Sequence, residues 1–167
     1  MQAAGWFGKL SFLGDFASRR LPETWLHTCD RWLSECMTGA AQQLGSGFLP
    51  AYLHAPVWRF TCGRGVMDDH WWFGVLMASC DNVGRYFPLV VAQARERAPE
   101  DRFALDHLEL WWAHAARAAL DSLGERATLE AFEAALHDAP PWPAARGAAR
   151  CTDEAAGALR AIEPSAA

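Results

Sequence analysis

The stretch Trp71-Trp72-Phe73-Gly74-Val75-Leu76-Met77-Ala78 is apolar at nearly every position. A strand that faced water on one side would alternate apolar and polar residues. An unbroken run of this length reads instead as a strand covered on both faces. That requires layers above and below one sheet, and the flanking sequence supplies candidates for both. Upstream, Val57-Trp58-Arg59-Phe60-Thr61-Cys62 alternates and predicts a neighbouring strand, stopped by Gly63-Arg64-Gly65. Downstream, Asp81-Asn82-Val83-Gly84 is a loop signal. Tyr86 to Ala92 predicts a further strand, with Pro88 near its start or on an edge.

Further out, the period becomes helical. From Glu23 to about Leu44, residues Trp25, Cys29, Trp32, Leu33 and Cys36 fall on one face, and Gly45-Ser46-Gly47 stops the helix. Pro22 suits the first turn. Both tryptophans and both cysteines are expected in the core. After Pro99, Leu105, Leu108, Trp112, Ala115, Ala116, Ala119 and Leu123 mark a second long helix, ended by Gly124. Thr128 caps a third, with Leu129, Phe132 and Leu136 on its buried side. Gly5 to Leu10 predicts a first strand, and Leu13-Gly14-Asp15-Phe16 a turn. Phe48 to Pro56 reads as a plain connection. Pro140-Pro141-Trp142-Pro143 is a rigid break, after which a weak helix is expected from Thr152 to Ile162. The order predicts one α/β or α+β domain over residues 1–143, with helices on one or both faces of the sheet and a C-terminal tail over 144–167.

With 167 residues and 51 % apolar content, the chain can bury one core. A net charge of −5, with no run of like charge, argues against a nucleic-acid partner or an anionic membrane. No stretch approaches the roughly 18 apolar residues of a membrane span. The N-terminus has no basic region followed by an apolar one, so no signal peptide is expected. Five cysteines at wide spacings, without a CxxC pair, read as free thiols in a reducing compartment. Six of the nine tryptophans, at positions 25, 32, 58, 71, 72 and 112, fall in predicted elements and are expected in the core. Lys9 is the single lysine among fifteen basic residues.

Few residues suggest chemistry. Gly8-Lys9 lacks the glycine and the hydroxyl that a phosphate loop needs, since Ala3 and Leu10 stand at those places. His107 and His114 are two turns apart and cannot chelate one ion alone, and no cofactor is expected. No G-x-S-x-G elbow occurs. Two clusters of small, acidic and arginine residues do stand at strand ends. One is Gly14-Asp15 with Arg19 and Arg20; the other is Ser79-Cys80-Asp81-Asn82-Val83-Gly84-Arg85-Tyr86. They read first as a loop-locking network in which Asp81 brackets Arg85 and Asp15 pairs with Arg85 or Arg59. They read second as a partner-recognition surface, with Arg59, Arg85, Tyr86 and Trp142 as exposed anchors. A third reading is a small hydrolase or transferase built on Asp15, Ser79 and Asp81. Neighbouring arginines lower a carboxylate's pKa, which counts against that one.

Three blocks carry a resemblance. Gly5-Trp6-Phe7-Gly8-Lys9-Leu10 with Gly14-Asp15-Phe16 and Arg20-Leu21-Pro22 resembles the opening of the TagF (ImpM) family of type VI secretion-associated proteins. Ala55 to Phe60, and Gly74 to Ser79 with Asp81 and Val83 to Leu89, are similar to its next two blocks. Ser11-Phe12 and Ala78 depart from the family's Pro-Ser and Met-Pro-Ser patterns, while Lys9, Gly14, Asp15, Trp58, Arg59, Ser79, Asp81, Gly84 and Arg85 match. The resemblance implies a three-layer α/β/α arrangement around a central mixed sheet. It also implies a cytoplasmic accessory protein of a Gram-negative type VI secretion system. Such a protein represses apparatus assembly and firing post-translationally and binds a forkhead-associated (FHA) scaffold protein. Some members are fused to a phosphatase domain, for which this chain is too short.

Overall fold

The computed structural model describes residues 3–144. Five strands form one sheet: β1 (Gly5–Gly8), β2 (Ala17–Arg19), β3 (Trp58–Cys62), β4 (Trp71–Met77) and β5 (Leu89–Arg95). Their order is β2-β1-β5-β4-β3, and every ladder is antiparallel. The helices are α1 (Glu23–Leu44), α2 (Phe48–Leu53), α3 (Arg102–Asp121) and α4 (Leu129–His137). The expected α/β domain with helices on both faces of a central sheet is what the chain forms. The sheet is antiparallel throughout, where the sequence reading expects a mixed one.

Side chains alternate across a strand, so each inner strand feeds two cores. On one face Phe7, Trp72, Val90 and Ala92 pack against Trp25, Cys29 and Leu33 of α1. On the other, Trp6, Phe73, Val75, Met77, Leu89 and Val91 pack against α3 and α4. The run 71–78 is thus apolar because both of its faces are covered. Thr128 accepts the Ala131 amide hydrogen as the cap of α4, as its position predicted.

Several expectations shift. Trp32 (53 % exposed) and Trp58 (58 % exposed) lie at the surface, and Cys36 is exposed too. Trp32 and Cys36 do share a stripe with Trp25, but among the described residues no strand lies beyond edge strand β3 to cover them. Trp142 goes the other way. It is buried, with its ring edge-on to Phe73 at 4.8 Å and the Arg95 guanidinium 4.0 Å above it. The buried stripe of α3 is Ala104, Leu108, Trp111, Trp112, Ala115, Ala118 and Ala119, while Leu105 and Leu123 are exposed. Residues 48–53 are helical rather than a plain connection, and β5 begins after Pro88. The helix expected over Thr152–Ile162, and Cys151, lie outside the described residues.

Candidate functional site

The 13–16 turn and the 79–86 cluster meet where β1 and β4 end and β5 begins. Lys9 follows β1 and is buried, and its Nζ donates to Asp81 Oδ2 at 2.5 Å. Arg85 Nε donates to the same oxygen at 2.7 Å. Asp81 Oδ1 accepts the backbone N–H groups of Val83 (3.1 Å) and Arg85 (2.9 Å). One carboxylate therefore serves four donors and closes a turn in which Gly84 has φ +81°, a left-handed value that glycine adopts without strain. Burial alone would push the Asp81 carboxyl up. The hydrogen bonds from Lys9 and from Arg85 and Val83 outweigh it and hold the group well below the usual carboxylate range.

The clasp extends to both flanks. Arg85 also donates to the Gly14 carbonyl, and the Asn82 amide donates to Leu13, so the 13–16 turn is tied to the 81–85 turn. Ser79 Oγ donates to the Lys9 carbonyl at 2.7 Å. The Tyr52 hydroxyl of α2 donates to the Ser79 carbonyl and accepts the Ser79 amide, both at 2.9 Å. Burial pushes the Tyr52 phenol up to about 12, with the bond to Ser79 acting the other way. The Lys9 ammonium also stands 4.4 Å from the centroid of the Phe16 ring. The buried ammonium is thus held between the Asp81 carboxylate and the Phe16 ring face. This gives the single lysine a local reason.

The structure thus joins Lys9, Gly14, Ser79, Asp81, Gly84 and Arg85, and leaves Asp15 and Arg59 outside the network. Asp15 is exposed and, among the described residues, accepts the Phe16 amide alone. It pairs with neither Arg85 nor Arg59, since Arg59 pairs with Glu109 on α3. Arg19 and Arg20 turn instead toward Glu133 of α4, which accepts from Arg20 (2.6 Å) and from the Trp6 indole (2.6 Å). Trp142 is core and supplies no anchor. Around the clasp the outward residues are Phe16, Val83, Arg85 and Tyr86, and Val83 is 68 % exposed. The sequence pattern marks neither Tyr52 nor the steric need for glycine at position 8. Tyr52 sits in a helix that the sequence reads as a connection. A Cβ on Gly8 would overlap the Pro88 carbonyl oxygen, a contact between strands that periodicity does not encode. Among the described residues no group of His, Cys, Asp and Glu is placed to hold a metal ion. None of their helices is long and apolar enough to cross a membrane.

The chain matches, over residues 5–139, the family described as TagF N-terminal domain, type VI secretion system-associated. It belongs to the TagF family. A similar solved structure is PA0076 from Pseudomonas aeruginosa PAO1, at 38 % identity and TM-score 0.76. The match covers 84 % of this chain and 64 % of that one, so the TagF domain here spans a little under two thirds of that relative's length. A comparison with curated proteins finds no match. The matched region of the TagF domain contains every residue of the clasp.

Proposed function

We propose that this TagF domain is a non-catalytic, cytoplasmic regulator of a type VI secretion system. It represses assembly or firing post-translationally by binding an FHA-domain scaffold protein. The surface it uses is the outside of the clasped loops: Phe16, Val83, Arg85 and Tyr86, with Asp15 and Gly14 on the neighbouring turn. Lys9, Ser79, Asp81 and Gly84 act from beneath by holding that surface in one shape.

The observation that carries this reading is the full engagement of Asp81. A catalytic carboxylate needs a free oxygen and, for acid–base work, a pKa near the working pH. Asp81 has four donors and is held ionised, and the Ser79 hydroxyl is spent on the Lys9 carbonyl. Asp15 stands outside the network. The hydrolase reading from Asp15, Ser79 and Asp81 therefore has no convergent set to work with. Preorganised loops carrying an aromatic, an aliphatic and an arginine side chain suit a binding surface instead.

The test is a pull-down from cells expressing the native secretion cluster, with this domain as bait. Recovery of the FHA scaffold by wild type, and its loss with Val83→Ser plus Tyr86→Ser, is the expected result. A folded wild-type domain that fails to recover the scaffold would overturn the partner assignment.

A further inference from the structure

A second surface lies away from the clasp and shares no residue with it. Between α1 and β3 runs a groove of about 790 Å³, within the range of ligand-binding clefts. Trp25 forms part of its floor, Trp32 of α1 stands on one wall, and Trp58 and Phe60 of β3 stand on the other, with Val66 beyond. Trp32, Trp58 and Val66 are each more than half exposed.

β3 is also the end strand of the sheet. An edge strand turns every second N–H and C=O away from its neighbour, toward whatever comes next. Native edges are usually blunted by lysine, proline or a bulge. β3 reads Trp-Arg-Phe-Thr-Cys, and its one charge, Arg59, lies on the opposite face with Glu109. β3 itself carries no charge on its groove side.

Area and charge narrow the occupant. Two tryptophans half exposed, at about 250 Å² each, offer on the order of 300 Å² of apolar surface. A stable homodimer needs roughly 800 Å² per partner. The two rings supply about a third of that, so a second copy would need further surface, whereas a short peptide would not. Its rim carries Arg31 and Glu35, one turn apart on α1, and neither is ion-paired with another described residue. A complementary strand bears an acid and a base two residues apart on one side, about 7 Å from each other, beside its apolar residues.

We propose that this groove docks an extended segment of a partner protein, which adds as a strand to the free edge of β3. Its alternate apolar side chains seat between Trp32 and Trp58, and its acid and base, two residues apart, meet Arg31 and Glu35. Backbone bonds to β3 supply affinity and the alternate side chains supply selectivity.

The probe is a fluorescein-labelled peptide, Thr-Leu-Thr-Leu-Thr-Leu-Thr-Glu-Thr-Lys, followed by fluorescence polarisation. Its control has the same composition with the leucines adjacent. The alternating peptide should bind at least about tenfold more tightly than the control, and Trp58→Thr or Trp32→Gln should weaken it by a similar factor. Both substitutions are at exposed positions, and circular dichroism checks that the fold is retained. Of two N-methylated peptides, blocked at odd or at even residues, one should lose binding, because one set of N–H groups meets β3. Equal binding of both N-methylated forms, or of the control, would overturn strand addition, as would no binding of the alternating peptide. Sedimentation covers the remaining occupant: a dimer dissociated by Trp58→Thr would put a second copy in the groove and overturn the proposal.

Discussion

Trp142 and Trp58 exchange the places that sequence alone would assign them, and replacing each by alanine measures that exchange. Trp142 is 1 % exposed, and its indole N–H donates to Gln93 Oε1 at 3.1 Å. Removing most of a tryptophan's 200–250 Å² from a core, at about 25 cal/mol/Å², gives an upper bound of about 5–6 kcal/mol. Partial collapse of the cavity brings the expected cost of Trp142→Ala to about 3–5 kcal/mol. Trp58 is 58 % exposed on an edge strand, so Trp58→Ala should cost about 1 kcal/mol or less. Urea unfolding followed by far-UV circular dichroism reads both. With a slope of roughly 2 kcal/mol/M, the Trp142→Ala midpoint should fall by about 2 M and the Trp58→Ala midpoint by at most about 0.5 M. Equal shifts, or a larger one for Trp58→Ala, would refute the placement of residues 140–143 against the sheet. They would also refute the freedom of the β3 edge.

Two further outcomes follow from local geometry. Gly8→Ala pushes a Cβ into the Pro88 carbonyl at a φ of +133°, so thermal melts should show strong destabilisation. Gly39→Ala meets nothing within 4 Å inside α1 and should be neutral or stabilising by up to about 1 kcal/mol. Asp81 and Glu133 both carry lowered pKa values. In each, burial opposes the shift, and hydrogen bonds from Lys9 and Arg85, or from Arg20 and Trp6, outweigh it. Their stabilising contribution is complete above about pH 5 and disappears as pH falls toward the lowered values. The melting temperature should therefore drop on acidification below about pH 5, and less steeply in Glu133→Gln, as differential scanning calorimetry will show.

What was legible in the sequence was what one element decides by itself. The 22 residues of α1 carry their own period and their own stop at Gly45, and the run 71–78 declares its two covered faces. What was hidden depends on neighbours. β2 is three residues with no pattern, and it exists because Trp6, Phe7 and Gly8 present a ladder for Arg19, Ser18 and Ala17. Trp111 and Trp112 are both buried although adjacent, because α4 and the 139–143 segment widen the covered face of α3 beyond a single stripe. Trp32 and Trp58 follow sound periods but stand where the sheet ends, and no strand's own sequence says that it is last. In the candidate site, Asp81 with Arg85 was readable as a local turn. Its union with Lys9 spans 72 residues and follows from β1 entering the sheet beside β5. Tyr52 was out of reach for the same reason.

The central claim is that the clasp presents a binding surface and performs no chemistry of its own. Isothermal titration of the purified FHA scaffold protein into this domain tests it most directly, comparing wild type with Val83→Ser plus Tyr86→Ser. Both substitutions are on the outside of the clasp, so the Lys9–Asp81–Arg85 bonds are left in place. The account predicts measurable binding by wild type and at least about tenfold weaker binding by the folded variant. Equal affinities, or no heat from wild type at any concentration, would contradict it.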